Sequence, residues 1–149
     1  MRRRSFLAGA LAAPLLVGAA RADEPMISVA KSPQCGCCGA WVAHLRAAGF
    51  EPEVRDLEAA ALDALKTELG IAPEHASCHT ATIEGYVVEG HVPGEDIRRL
   101  LAQRPEALGL AVPGMPIGSP GMEMGDEKQP FDTLLVLAPG RAEVFARHR

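Results

Sequence analysis

The sequence predicts an α/β fold: a mixed sheet flanked by helices, followed by a Gly/Pro/Met loop and an extra β-hairpin. Short apolar strand segments alternate with helix-period segments over the first two thirds of the chain. A hairpin signal with a tight turn lies near the middle, and residues 109–125 lose both periods. With 149 residues, 48% of them hydrophobic, the chain is long enough to bury one core.

An export signal is expected at the N-terminus and takes no part in the fold. Residues 1–22 comprise a basic start, a mostly apolar run and the cleavage pattern ARA. RRSFL from residue 3 fits the twin-arginine pattern, and an ordinary secretory signal is the alternative. The apolar run is shorter than the roughly 20 residues of a spanning helix. We therefore expect one periplasmic domain of residues 23–149 with no membrane span.

The expected mature chain is acidic. Residues 1–22 hold four of the 15 Lys and Arg and none of the 19 Asp and Glu, which leaves 11 − 19 = −8. Nucleic acids and anionic lipids are bound by basic patches, so neither is an expected partner. A negative charge suits a protein that handles cations.

The first elements of the domain are a strand and a helix. Residues 26–30 (MISVA) are apolar, and the following KSP ends the strand. A helix is predicted over residues 37–48, with Gly49 as its stop. Its apolar positions recur every three or four residues, at Cys38, Trp41, Val42 and Leu45. Cys35 therefore lies at or before the helix start, and Trp41 is expected to pack in the core and shield the cysteines from water.

A second strand and helix follow. Residues 50–56 predict the strand, and Asp56 or Asp63 is the expected N-cap of the helix. The apolar positions of this helix repeat before Gly70 ends it, at Leu62, Leu65 and Leu69.

A hairpin and a third helix complete this part of the chain. Residues 82–83 and 86–88 flank an EG turn, and Pro93 opens a helix that reaches about residue 103. The order of strand, helix, strand, helix, hairpin and helix is that of a thioredoxin-like domain.

The last third has a different composition. Residues 109–125 are rich in Gly, Pro and Met and predict an ordered loop. Residues 133–137 and 142–145 predict two further strands joined by APGR.

The four cysteines are unevenly placed. Cys35, Cys37 and Cys38 lie within four positions, and Cys78 is the fourth. Two structural disulfides are one interpretation for an exported protein. A second is a thiol-disulfide oxidoreductase using Cys35 and Cys38, because a helix start stabilises a thiolate. Adjacent Cys37 and Cys38 fit the first interpretation badly, and the second leaves Cys37 and Cys78 unexplained.

A metal site accounts for all four cysteines. Thiolates suit Cu(I) and zinc, and clustered thiolates can bridge more than one Cu(I) ion. The loop adds Met115, Met122 and Met124, whose thioethers favour Cu(I) unless they pack in the core. We expect Cu(I), as more than one ion, with a zinc-stabilised interaction module as the weaker alternative. Whether copper is also oxidised and reduced in turnover is left open.

The histidines have different expected roles. His79 adjoins Cys78 and is a candidate metal ligand or hydrogen-bond donor to a thiolate. His44 lies about 10 Å beyond Cys37 along the helix and is expected to be a polar helix-face residue. His91 is expected to have a backbone partner. The remaining two are expected at the solvated surface, His75 and His148.

Three motifs in order carry a family resemblance: CGCCGAWVAHLRAAGF, SCHTATIEGYVVEGHVP and PGMPIGSPGME. Over most of residues 26–125 the chain closely resembles the CopG-like copper-associated proteins of bacteria, long listed as a family of unknown function. The resemblance implies an exported, thioredoxin-like protein associated with copper resistance. Its partners would be copper ions and other periplasmic copper-resistance proteins.

The resemblance also assigns candidate ligands. It implies that copper is bound by Cys35, Cys37, Cys38 and Cys78, and Met115, Met122 and His79 are further candidates. Thioredoxins carry a cis-proline before the hairpin, and residues 78–82 contain no proline. The resemblance therefore implies that Cys78 faces the other three sulfurs.

Overall fold

The computed structural model describes residues 25–149, so the expected export signal lies outside the described residues. Strands and helices follow in the order β1 Met26–Lys31, α1 Gly36–Ala47, β2 Glu51–Asp56, α2 Ala59–Glu68, β3 His79–Ile83, β4 Tyr86–Gly90, α3 Gly94–Gln103, β5 Gly109–Val112, β6 Phe131–Ala138 and β7 Arg141–His148. A 3₁₀ turn, Pro73–His75, lies between α2 and β3. None of the helices in this part of the chain is long and apolar enough to cross a membrane.

The strands form one mixed sheet in the order β2-β1-β3-β4-β5-β6-β7. β1 pairs with β2, and β4 with β5, in parallel, while the other neighbouring strands are antiparallel. The predicted α/β class is confirmed, as is the order of strand, helix, strand, helix, hairpin and helix. The predicted C-terminal hairpin is β6 and β7, each longer than the sequence indicated.

The core lies on the sheet face that α1 and α3 cover. Strand register brings one apolar side chain from each of five strands to this face: Val29, Ala81, Val88, Leu110 and Leu135. They share one buried cluster with Trp41 and Leu45 of α1 and with Ile97 and Leu100 of α3. Trp41 is fully buried and donates a hydrogen bond from Nε1 to the Val92 carbonyl at 2.9 Å, so its predicted core position is confirmed.

The opposite face is partly polar and carries α2. Thr80 and Glu89 are paired residues of β3 and β4, and both are buried. Lys66 of α2 reaches them, with Nζ 2.7 Å from Thr80 Oγ1 and 2.5 Å from Glu89 Oε1. An ion pair therefore lies inside the domain beneath the ends of the two strands.

Two details differ from the sequence predictions. The N-cap of α2 is Glu58, and no side chain caps this helix. Asp56 does not cap this helix, because it ends β2 and its carboxylate forms an ion pair with Lys31. Residues 109–112 form β5, although they were predicted as loop, because pairing with β4 and β6 buries them completely.

Candidate metal centre

The start of α1 presents three cysteines. Cys35 is the N-cap residue, in an extended conformation, and its N–H donates to the Ser32 carbonyl at 3.2 Å. Cys37 and Cys38 follow in the first turn, where Cys38 is fully buried and Cys37 is half-buried. The start of α1, with its N-cap, thus holds three sulfurs, as the sequence predicted.

Cys78 directly precedes β3, the neighbour of β1 in the sheet, and its side chain reaches the start of α1. Its Sγ lies 3.8 Å from Cys37 Sγ and 3.5 Å from Cys38 Sγ, while Cys37 Sγ lies 3.3 Å from Cys35 Sγ. We call these four residues the cysteine cluster; their sulfur atoms all lie within 4.8 Å of one another. Within residues 25–149 every peptide bond is trans, including the segment that leads into β3.

A disulfide links two members of the cysteine cluster. Cys35 and Cys38 are bonded, and their Cα atoms are 5.4 Å apart. Cys37 and Cys78 carry free thiols. Burial raises the pKa of the Cys78 thiol to about 12, and the neighbouring Cys37 adds to this shift. The described state is therefore an oxidised one in which Cys78 is a neutral thiol at neutral pH.

His91 contacts the cysteine cluster and was not predicted to do so. Its Nε2 lies 3.1 Å from Cys78 Sγ, and its Nδ1 lies 2.8 Å from the Pro120 carbonyl oxygen. A carbonyl only accepts, so Nδ1 carries the hydrogen of the neutral ring and Nε2 presents its lone pair to the sulfur. Burial lowers the pKa of His91, which favours this neutral form. The predicted backbone partner is confirmed, and the other nitrogen faces the cluster.

His79 lies on the other side of Cys78. Its Nδ1 is 3.3 Å from Cys78 Sγ, and its ring lies 4.3 Å from that of Trp41. Burial, with His91 and Lys66 nearby, lowers the pKa of His79 to about 3. The Gly90 carbonyl opposes this shift, yet Nε2 has no hydrogen-bond partner of normal geometry within residues 25–149. Cys78, His79 and His91 form a second group whose ligand atoms lie within 4.8 Å of one another.

The Gly/Pro/Met loop packs against the cluster through its backbone. Gly121 has a φ of +86°, which residues with a side chain rarely adopt, and a Cβ there would lie 2.7 Å from the Cys37 carbonyl oxygen and from Trp41 N.

 At the other end of the loop, Gly114 accepts a hydrogen bond from Ser77 Oγ, next to Cys78. The loop therefore reaches both halves of the cluster.

The loop methionines remain candidate ligands. Met115 and Met124 are exposed at 51% and 62%, and Met122 is half-buried. The Met122 N–H donates to the Ser119 carbonyl, and its carbonyl accepts from the Gly118 N–H. None of the three is a fully buried core residue. Ligation by Met115 or Met122 stays a prediction.

The other histidines lie away from the cluster. His44 accepts a hydrogen bond on Nε2 from the Gly94 N–H at 3.0 Å, so it joins α1 to the start of α3. The prediction that His75 lies at the solvated surface is wrong: it is only 7% exposed, because the 3₁₀ turn packs inward.

The surface prediction for His148 holds only in part, because 21% of its side chain is exposed. Its Nε2 lies 2.9 Å from Asp96 Oδ2 and 3.1 Å from Thr133 Oγ1, and Phe131 stacks on its ring. Thr133 Oγ1 also donates to Asp96 Oδ2 at 2.7 Å. We call Asp96, Thr133 and His148 the aspartate cluster; it ties the end of β7 to α3.

Two solved structures are similar to this chain over nearly their whole length. They are titled "Copper resistance protein copG", Form 2 and Form 1, and both are 42% identical to it, with TM-scores of 0.77 and 0.76. Each comparison covers 84% of this chain and 98% of the other. The chain belongs to the CopG family.

The family assignment confirms the resemblance found in the sequence. A family model described as "Protein of unknown function, DUF411" also matches, over residues 75–122. That stretch of the CopG-family chain contains Cys78, His79 and His91 and ends at Met122. Among curated proteins, none matches this chain.

Proposed function

We propose that this chain is an exported, periplasmic protein that binds Cu(I) through Cys35, Cys37, Cys38 and Cys78 and acts in copper handling or resistance. The observation that carries the proposal is the convergence of four cysteine sulfurs from α1 and from the start of β3. Thiolates are soft ligands that suit Cu(I) and zinc, and clustered thiolates can bridge Cu(I) ions. The titles of the two similar structures, copper resistance protein, support the same metal.

The sulfur spacing suits shared ions. Metal–thiolate bonds are about 2.3 Å long for zinc, so two sulfurs on one ion of similar size lie at most about 4.6 Å apart. The contacts of 3.3, 3.5 and 3.8 Å in the cysteine cluster fall within that limit. Little movement of the backbone is needed for the reduced sulfurs to share metal.

Cys78 supports a site for more than one ion. It belongs both to the cysteine cluster and to the group with His79 and His91. A thiolate can bridge two Cu(I) ions, and each group then supplies further donors on its own side. The Pro120 carbonyl holds the His91 ring with Nε2 toward Cys78, which is the arrangement that second-shell partners give to metal-binding histidines.

Copper binding is coupled to reduction of the disulfide. A reduced dithiol supplies two electrons and two protons, the Cys35–Cys38 bond breaks to give two thiols, and the dithiol becomes a disulfide. Four thiols are then available, and each loses its proton when it binds metal.

An anaerobic titration tests the proposal. The fully reduced protein is titrated with Cu(I) against a chelator of known affinity, and zinc is titrated in parallel. We expect more than one Cu(I) per chain and displacement of zinc by Cu(I). A single zinc that excess Cu(I) does not displace would contradict the proposal and favour a zinc-stabilised module.

A second candidate function is thiol-disulfide exchange, and the Cys35–Cys38 disulfide favours it. A substrate thiolate would attack Cys35, which is half-buried, and expel Cys38 as a thiolate; a second substrate thiol would then release Cys35. This chemistry needs neither Cys37 nor Cys78. Thiol-oxidase or insulin-reduction activity that survives in both Cys37→Ser and Cys78→Ser would favour this function over copper binding.

A further inference from the structure

The ion pair of Lys66 and Glu89 has a third partner next to the cysteine cluster. Glu89 Oε1 accepts hydrogen bonds from Lys66 Nζ at 2.5 Å and from the Ser77 N–H at 2.7 Å. Glu89 Oε2 accepts from Thr80 Oγ1 at 2.6 Å. The side chain of Glu89 is fully buried, so this carboxylate joins α2, β3 and the residue before Cys78.

Three consecutive residues at the end of β4 hold the Ser77–Cys78 segment. Glu89 binds the Ser77 N–H, and His91 Nε2 contacts Cys78 Sγ. Gly90 lies between them with φ +73°, and a Cβ there would be 2.5 Å from Ser77 Cβ. The backbone of β4 therefore crosses this segment too closely for any side chain at residue 90.

Burying this ion pair is costly for the fold. Burial raises the pKa of Glu89, although Lys66, Thr80 and the Ser77 amide stabilise its charged form. A buried ion pair is often no more stabilising than apolar residues of the same size. A gain in fold stability therefore does not explain why a carboxylate is buried at position 89. The need of the Ser77 N–H for a hydrogen-bond acceptor does explain it.

We infer that Glu89 is a positioning residue for Cys78, fixing the thiol at the cysteine cluster through the Ser77 N–H. Lys66 holds the Glu89 carboxylate in place for this contact. The inference deepens the proposed function and rests on it for the role of the positioned sulfur. The position of Cys78 itself can be measured without any metal.

Two double variants differ in whether residue 89 keeps its side-chain contacts with the Ser77 N–H and with Thr80 Oγ1. Lys66→Met with Glu89→Gln removes both charges and keeps a side-chain carbonyl for the Ser77 N–H. Lys66→Met with Glu89→Leu removes the charges and the acceptor together. Glu84→Gln is the matched control, because Glu84 lies in the same hairpin and pairs with Arg104 at the surface.

The first readout is alkylation of Cys78 relative to Cys37 in the reduced, metal-free protein, measured by mass spectrometry. Loss of an acceptor that leaves a backbone N–H unsatisfied changes a local opening equilibrium by roughly tenfold. We expect the Leu variant to raise the relative alkylation of Cys78 by about that factor, and the Gln variant and the Glu84→Gln control to stay near the parent. Equal alkylation in both double variants would overturn the inference.

Two further measurements separate the possible failures. Hydrogen exchange of the Ser77 amide in the parent needs no variant: we expect protection similar to the β3 amides, and exchange at the rate of an exposed amide would contradict the inference. The Cu(I) stoichiometry is then measured for all variants, with a loss expected only in the Leu variant. If the parent binds no Cu(I), the proposed function fails while the alkylation result still decides the role of Glu89.

Discussion

The cysteine cluster and the aspartate cluster both gather polar side chains from distant parts of the chain, but they differ in how those groups are satisfied. In the aspartate cluster every contact joins a donor to an acceptor within 3.1 Å, and Thr133 and Asp96 are buried. In the cysteine cluster, apart from the Cys35–Cys38 disulfide, the contacts are between sulfurs at 3.3–3.8 Å, which are weak hydrogen bonds. His91 Nε2 points a lone pair into it.

This difference separates a structural tie from a binding site. Groups that satisfy one another have no donor left for a ligand, and they stabilise the fold. Groups that share only weak contacts keep their lone pairs for a ligand. We therefore expect changes in the cysteine cluster to affect copper and changes in the aspartate cluster to affect stability.

Cys78→Ser tests the largest expected difference. Cys78 belongs to both ligand groups, so its loss opens both. We expect a fall in Cu(I) affinity of more than about 100-fold, beyond the usual effect of losing a residue that only supports a ligand. Competition with a Cu(I) chelator measures it. Cys37→Ser is the comparison and should fall by a similar factor; parent-like affinity in either variant would count against a shared cluster.

His91→Gln tests the donor that reaches the cysteine cluster from the hairpin. We expect Cu(I) affinity to fall by about 10–100-fold, as for other residues that hold or orient a metal ligand. His44→Gln is the control, since His44 contacts Gly94 instead of the cysteines. Equal affinities in the two variants would remove His91 from the site.

Asp96→Asn should show the opposite pattern. It removes the charge that His148 and Thr133 contact, and we expect a loss of about 1–3 kcal/mol in the free energy of unfolding. Copper affinity and stoichiometry should stay at parent values. Urea unfolding of the reduced protein measures the free energy of unfolding. A fall in Cu(I) affinity as large as that of His91→Gln would contradict the distinction between the two clusters.

Met115→Leu and Met122→Leu carry the smallest expected effects. The exchange keeps roughly the side-chain volume, so stability should change by less than about 1.5 kcal/mol. A lower Cu(I) affinity or faster copper oxidation is expected if the thioethers cap the site, as we predict. Met124→Leu is the control because Met124 is the most exposed loop methionine. If all three variants match the parent in Cu(I) affinity and in the rate of copper oxidation, the methionines do not cap the site.

Local signals in the sequence were sufficient for most of the fold. Helical spacing located α1, and the EG turn located the hairpin, where Glu84 and Gly85 take φ values of 46° and 88°. β5 was missed because GLAV lies next to a Gly/Pro-rich stretch and becomes a strand only by pairing with β4 and β6. Long-range pairing of this kind leaves no periodic signal in four residues.

The site was predicted in part. Spacing and composition identified the four cysteines, while His91 was assigned only a backbone partner. A register count would have found it: Thr80 pairs with Glu89 across the two-residue turn, and the same count sets Cys78 opposite His91. The Ser77 contact of Glu89 and the burial of His75 depend on tertiary packing, for which the sequence carries no comparable signal.

Trp41 gives the protein an internal optical reporter. It is the one tryptophan of the chain, its ring lies 4.3 Å from that of His79, and it follows Cys38 by one helical turn. An indole this close to the cysteine cluster should change its emission when copper arrives or when the Cys35–Cys38 bond is reduced. Loading and redox state can therefore be followed by fluorescence in the unlabelled protein, with no second tryptophan to contribute background.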